Sequence, residues 1–345
     1  MSSKKQLAAE AIVRLGGVPM LNTYWGKKRL TVLAYHRVTA LEDGGFDDFR
    51  PMVSATPQLF DTEMAFVKAH FNVISLDDLR GAILHGNGLP DNPLLITFDG
   101  GYLDNYINAF PILKKYGFPA VIFLTTSRMN DTETPLWWDW VARVFHRTTQ
   151  AQADLPLVGA VDLTGEAKHD ALHTVMDALE AVPENEKLDT IAEIGAALGV
   201  TDVSGGPLFL NWEQAKELVN NGITCQSHTV DHPILTRISQ SEVVRQIRDS
   251  RAAIMDHTGQ EVYAFAYPSG TPADYAPETI TALTAHGYDL AFTLTAGPMR
   301  WEAVKANPLQ IRRVYLDNKD TLQVFAVKVM GVPAFLEPLA YPEMG

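Results

Sequence analysis

The sequence predicts an α/β protein, a distorted (β/α)7-type barrel carrying a helical insertion. Short apolar runs rich in β-branched and aromatic residues alternate with helix-length segments from Arg29 onward, the rhythm of parallel strands joined by crossover helices. About seven such runs can be counted, the number of an incomplete or distorted α/β barrel. Several runs also end abruptly in glycine and polar residues, as buried strands do where they open onto a rim.

The elements follow in order. Residues 1–28 read as a helical segment, with Leu7, Ile12, Val13 and Leu15 beside Lys4, Lys5 and Arg14, expected to dock on the domain or a partner chain, or to touch a membrane surface. The start has basic residues but no sustained apolar core or small-residue cleavage site, and no later run reaches membrane-spanning length. The expectation is a cytoplasmic protein with no integral membrane segment and at most peripheral membrane contact.

LTVLAYHRV is strand-like and exposes His36 as its apolar character fades. Thr39 to Pro57, rich in Gly, Asp and Pro, reads as a surface loop. A helix around Leu59 to His70, a short strand FNVISL and a helix from Asp77 to Leu84 come next. Strand Leu94 to Phe98, helix Asn105 to Tyr116 and strand PAVIFLTT continue the alternation.

The rhythm breaks at Ser127. About 128–206 reads as a mainly helical insertion packed on one end of the barrel, with LWWDWVARVF, a polar loop, and helices around Ala167 to Ala181 and Leu188 to Leu198. Its clustered Trp137, Trp138 and Trp140 suit a packing anchor, or alternatively a sugar platform. The alternation resumes with helix Trp212 to Asn220, strand ITCQSH, and a helix to about His257 that Ser239 and Glu242 open as a capping box. Strand VYAFAYP, helix Pro277 to His286, strand DLAFTL and a last strand near IRRVYL complete a barrel domain over 29–330, leaving 331–345 as a tail.

A net charge of -13 and a mean hydropathy of -0.04 argue against a phosphate-tracking surface, so nucleic acid is not an expected partner. The single cysteine, Cys225, excludes an internal disulfide. A homo-oligomer is left open.

Chemistry gathers at strand ends. In LLITFDGGYLDN, Asp99 stands either as a helix cap or as a catalytic carboxylate at the mouth of the barrel. SHTVDHP places His228 and His232 four residues apart after a strand, able to share a cation if the segment turns helically. FAYPSG closes a strand in a turn whose Ser269 N–H could meet a developing oxyanion. His36 ends another strand of the same presumed rim.

TFDGGY, SHTVDHP and FAYPSG, in that order, resemble the leading motifs of the polysaccharide deacetylases of carbohydrate esterase family four, the NodB-homology domain. The resemblance covers about Thr31 to Val324. It implies a divalent metal, usually zinc, and hydrolysis of N-acetyl groups on amino sugars. It places the general base on Asp99 and the metal-binding histidines on His228 and His232, with Tyr267, Pro268 and Trp138 expected against the substrate.

The chain departs from the pattern in three places. The family's acidic metal ligand falls on Gly100, and two imidazoles without a carboxylate bind a dication less tightly; Asp99, Asp104 and Asp231 are the substitutes within reach of the motifs. Ala266 stands where an arginine often orients the base, a role that Arg313, or alternatively Arg312, could fill. No histidine follows His286, so the late acid-bearing motif is missing. The YHRV segment resembles one in poly-N-acetylglucosamine deacetylases, where an early histidine is the acid, and this implies that role for His36.

The expected function is therefore metal-dependent removal of an N-acetyl or N-formyl group from an amino sugar or glycan precursor. Asp99 would take the proton of a metal-held water, and His36, as imidazolium, would protonate the amine. A metal-independent amide hydrolase on the same fold, and a catalytically impaired carbohydrate-binding homologue, are the alternatives.

Overall fold

A computed structural model describes residues 3–25, 28–41 and 46–332. They form two compact units, the first from residues up to 40 together with 53–131 and 209 onward, the second from 41–52 and 132–208.

The first unit holds the predicted barrel. Its strands are β1 (Arg29–Tyr35), β2 (Pro93–Gly100), β3 (Ala120–Leu124), β4 (Ile223–Ser227), β5 (Ala264–Ala266), β6 (Leu290–Ala296) and β7 (Ile311–Tyr315). Each pairs in parallel with the next in chain order, and β7 returns to pair with β1. The sheet is thus closed, and every strand delivers its C-terminal end to one rim. In the seam between β1 and β2, Thr31 lies opposite Leu94 and Tyr35 opposite Phe98.

Side-chain alternation then sorts the residues. Leu30, Val32, Leu95, Val121, Phe123, Ala264, Ala266, Phe292 and Ile311 form one buried cluster, and the intervening Leu33, Tyr35, Ile96, Phe98, Ile122, Leu124, Cys225, Phe265 and Val314 form another. The second cluster also contains residues of the flanking helices, such as Phe60, Met64 and Val67 of Pro57–His70, so it is the layer between sheet and helices. The first has the parity that fills the barrel and is joined by Leu76 and Leu79 of helix Leu76–Leu84 and by Val304 of helix Trp301–Ala306. Two strand faces both buried explain why β2 reads as a continuous apolar run.

Helix starts carry the predicted chemistry. Thr56 accepts the Leu59 N–H, and Ser75 with Asp78 forms a reciprocal box. Ser239 accepts the Glu242 N–H as expected, but the Glu242 carboxylate turns to Arg245 and Gln246 and leaves that box half made. The helix after β2 opens with a π turn, Asn105–Ala109. The N-terminal helix Ser3–Arg14 packs Ala9 against Val324 and Val327 of helix Leu322–Val329.

Three stretches differ from the expectation. Within the presumed surface loop 39–57, Val53–Ala55 is a buried strand paired with Arg37–Val38; three residues are too few to show a period. The expected N-terminal helical segment is helical but divided, with a second helix Gly17–Trp25 after Gly16 at positive φ. The polar loop of the insertion contains an antiparallel hairpin, Gln152–Leu155 with Gly159–Asp162, joined through Leu157 and Gly159 at positive φ.

The second unit packs helices Trp137–Arg147, Gly165–Glu180 and Glu184–Ala197 around Val141, Phe145, Val175, Met176, Ile191 and Ile194. Arg143 is buried and donates to Asp48 at 2.6 Å, while the Phe49 N–H donates to Asp139 at 2.9 Å, which ties 41–52 to this unit. Among the described residues no helix is long and apolar enough to cross a membrane.

Candidate active site

Alternation decides what faces the mouth of the barrel. On β2, Leu95 fills the interior, so Thr97 and Asp99 follow it toward the rim; on β7, Ile311 does the same for Arg313. Asp99 and Arg313 are both fully buried and meet in a fork, Nη1 to Oδ1 and Nη2 to Oδ2, each 2.7 Å. Arg313 is itself fixed by the Thr293 carbonyl at 3.0 Å and Thr97 Oγ1 at 3.2 Å. Burial opposes ionisation of Asp99, but the guanidinium together with His228 and His36 outweighs it and holds the carboxyl well below the usual carboxylate range. Arg312 points outward and is exposed, so it takes no part in this fork.

His36 follows β1 on the interior parity. Its backbone is pinned from both sides, its N–H donating to Ser54 Oγ at 2.9 Å and its carbonyl accepting from Asn105 Nδ2 at 2.8 Å. Its ring lies 5.8 Å from that of Tyr315, and its buried Nδ1 has no hydrogen-bond partner. Burial, offset in part by Asp99 and reinforced by Arg313, brings its pKa down to about 4. The resting imidazole is therefore neutral at neutral pH.

His228 follows β4, and its Nδ1 lies 2.8 Å from the Ala266 carbonyl. A carbonyl only accepts, so Nδ1 carries the hydrogen and Nε2 keeps its lone pair, the tautomer of a metal ligand or proton acceptor. His232, half-buried, reaches the same place through two residues at positive φ, Thr229 at 68° and His232 at 61°, with its N–H on Thr229 Oγ1 at 2.9 Å. The turn is thus a left-handed kink rather than the helical turn that the spacing suggested. The two rings stand edge to face, 4.7 Å apart. Burial lowers the pKa of both, and His228 lowers that of His232 further, so both are neutral donors. His36, Asp99, His228 and His232 act electrostatically on one another, and Arg313 on the first three of them.

Gly100 is built as a glycine. Its φ is 97°, and a Cβ there would lie 2.9 Å from the Tyr102 ring. That ring is fully buried, stacked on Phe209 at 4.9 Å and covered by the Arg37 guanidinium at 4.9 Å. The substitute carboxylates are each committed to an arginine: Asp99 to Arg313, Asp104 to Arg37 at 2.7 Å, and Asp231 to Arg245 at 2.7 Å. Among the described residues no three His, Cys, Asp or Glu side chains are grouped to hold a metal ion. His228 and His232 are the neutral donors there, and the carboxylate that acts on them, Asp99, is engaged by Arg313 through both of its oxygens.

Ser269 is half-buried at φ 59° in a turn closed by the Gly270 N–H on the Pro268 carbonyl, 2.6 Å. Tyr267 has the opposite parity to Ala266 and lies in the outer layer, its ring stacked on Tyr275 at 4.1 Å and its hydroxyl on the Leu309 carbonyl at 2.9 Å. One face and the hydroxyl of the expected sugar contact are thereby occupied by protein. Pro268 is buried, and Trp138 belongs to the second unit, where it is buried too. Sequence reasoning passed over Ser54, Asn105 and Thr97; only Thr97, two residues before Asp99 on the same face, had a signal.

A model of the polysaccharide deacetylase family matches residues 86–291 of the 345. The Bacillus subtilis (strain 168) protein YxkH is 24% identical over 59% of this chain and 45% of its own length. The poly-beta-1,6-N-acetyl-D-glucosamine N-deacetylase of Escherichia coli (strain K12) is 22% identical over 89% of this chain and 39% of its own. The chain thus spans under half the length of these curated relatives. The solved structure of the Streptococcus pyogenes deacetylase PplD in complex with acetate aligns over 87% of this chain and 98% of that one, at 18% identity and a TM-score of 0.59, a likeness of fold.

Proposed function

The chain belongs to the polysaccharide deacetylase family, and from that premise we propose that it hydrolyses the N-acyl group of an amino sugar within a glycan, N-acetyl first and N-formyl as the smaller variant. The observation that carries this reading is the forked Asp99–Arg313 pair set among His36, His228 and His232 at the mouth of the barrel.

In this reading Asp99 receives a proton from the attacking water while Arg313 keeps its oxygens oriented. The proton does not stay there. His36, whose buried imidazole is neutral at rest, is the group proposed to take it up. The imidazolium then hands the proton to nitrogen as the C–N bond breaks. One water is consumed, its hydroxyl going to the acyl carbon and its proton to the amine. In this reading the imidazolium is made during turnover, an alternative to the expected resting acid. The Ser269 N–H is the proposed donor to the tetrahedral oxyanion.

His228 and His232 would hold a divalent metal, zinc being suited to imidazole, and the metal when bound would supply Lewis acidity toward the acyl oxygen. A second reading, amide hydrolysis without metal, draws support from Gly100 and from the commitment of Asp99, Asp104 and Asp231 each to an arginine.

The test is release of acetate or formate from N-acylated glucosamine oligomers, beginning with the β-1,6-linked polymer named for the Escherichia coli relative. Activity lost in Asp99→Asn supports the proposal, and activity retained there refutes it. Chelation separates the two readings: loss that zinc restores favours the metal, and indifference favours the metal-free route.

A further inference from the structure

We propose that His169 and His173, one turn apart on helix Gly165–Glu180 of the second unit, form a two-imidazole site for a divalent transition metal such as copper, nickel or zinc. The pair shares no residue with the barrel mouth and does not depend on the deacetylase reading.

The argument is geometric. The two Nε2 atoms lie 3.1 Å apart, with ring centroids 4.3 Å apart and tilted by 54°. Neighbouring donors on one metal, each about 2.0–2.1 Å from it, are separated by about 3.0–3.4 Å, so this spacing matches the bite of a chelate, which forms once the rings turn from their hydrogen bond toward a shared metal. An i, i+4 spacing puts both side chains on one helix face. His169 is exposed and His173 half-buried, which leaves the shared edge open to solvent.

The remaining ring nitrogens point elsewhere. His169 Nδ1 lies 3.9 Å from the Asp170 carboxylate, and His173 Nδ1 is buried against the protein, its ring 6.3 Å from that of Phe49. At that distance the carboxylate lies beyond hydrogen-bond reach of the outer nitrogen and contributes only a nearby negative charge. Without metal, the short contact is a hydrogen bond in which one Nε2 carries the proton. On binding, that proton moves to Nδ1 of the same ring, so two neutral imidazoles take up a dication with no net proton release.

Imidazole pairs favour copper over nickel and zinc and have little affinity for magnesium. The experiment is calorimetric titration of the whole chain with nickel ion alone near pH 7.5, with magnesium as control. The expected result is that His169→Gln/His173→Gln binds one equivalent less than the unaltered chain, whereas His228→Gln/His232→Gln keeps that equivalent. His169→Gln alone should weaken it by about tenfold or more. Equal uptake at equal affinity by the unaltered chain and the His169→Gln/His173→Gln variant would overturn the proposal. A measurement free of any folding effect uses the unaltered chain: substoichiometric copper ion should broaden the ring proton resonances of His169 and His173, and unbroadened resonances refute the site.

Discussion

Arg313 reaches Asp99 across 214 positions of sequence and closes on it with two bonds of 2.7 Å. Both partners are buried, so neither charge has water to fall back on. Removing one partner of such a pair costs about 3–5 kcal/mol, because the other is left buried and uncompensated. Arg313→Met should therefore lower the unfolding free energy by about that amount in urea titration. Arg313→Met/Asp99→Asn should recover part of the loss, and equal loss in the double variant would show that the pairing is not its source.

Asp99→Asn keeps the shape and one acceptor but removes the negative charge and the proposed base. Hydrolysis should fall by about 10²–10⁴, the usual worth of a positioned acid or base. Steady-state kinetics on an N-acetylated oligomer measure it, with the change expected in kcat rather than in KM.

The pH profile distinguishes two histories for the His36 proton. With the proton acquired in turnover, the neutral imidazole is the competent resting form, so kcat/KM should rise through about pH 4 and remain level toward neutrality. A resting imidazolium acid would give the reverse, a fall above about 4. Stability carries the same signature: the folded state resists the proton that the unfolded chain accepts near 6.5, so the unfolding free energy rises between about pH 4 and 6.5, by roughly 1.4 kcal/mol per pH unit for this group. Denaturation of His36→Gln should lack that part of the slope.

Glu63 supplies the opposite slope. It is buried, accepts from the Tyr35 hydroxyl at 2.8 Å, and has one oxygen without a partner. Burial outweighs the tyrosine hydrogen bond and lifts its pKa to about 8. The folded state then holds a proton that the unfolded chain has released, so this group's contribution is complete below about 4.5 and is lost as pH rises to about 8. Comparing Glu63→Gln with the unaltered chain across that window isolates the effect, and parallel stability curves would contradict it.

Gly100→Asp does not simply restore a missing ligand. The backbone sits at φ 97° and the new Cβ would meet the pinned Tyr102 ring at 2.9 Å. The variant should lose about 1–3 kcal/mol from strain alone, seen as a lower urea midpoint, and should bind no more zinc than the unaltered chain. A gain in bound zinc at unchanged stability would show that the ring yields.

Much of the barrel was legible because alternation along each strand is a local property. Counting in twos from Leu95 and Ile311 reaches Asp99 and Arg313, and the same count puts Tyr267 outside, where resemblance alone had placed it on the substrate. Val53–Ala55 and its Ser54 escaped because three residues between Gly-, Asp- and Pro-rich neighbours show no period. The protonation of His36 depends on burial by distant strands, which no window of sequence contains.

The ring of strands closes only where the first meets the last, β1 against β7. A nascent chain that has passed Gly100 but not yet Arg313 carries the carboxylate without its counter-charge, and no enclosed mouth in which to hide it. Assembly of the Asp99–Arg313 pair is thereby timed to the final strand. An internal stop before residue 311 is expected to forfeit the fold along with the chemistry, instead of leaving a smaller working barrel.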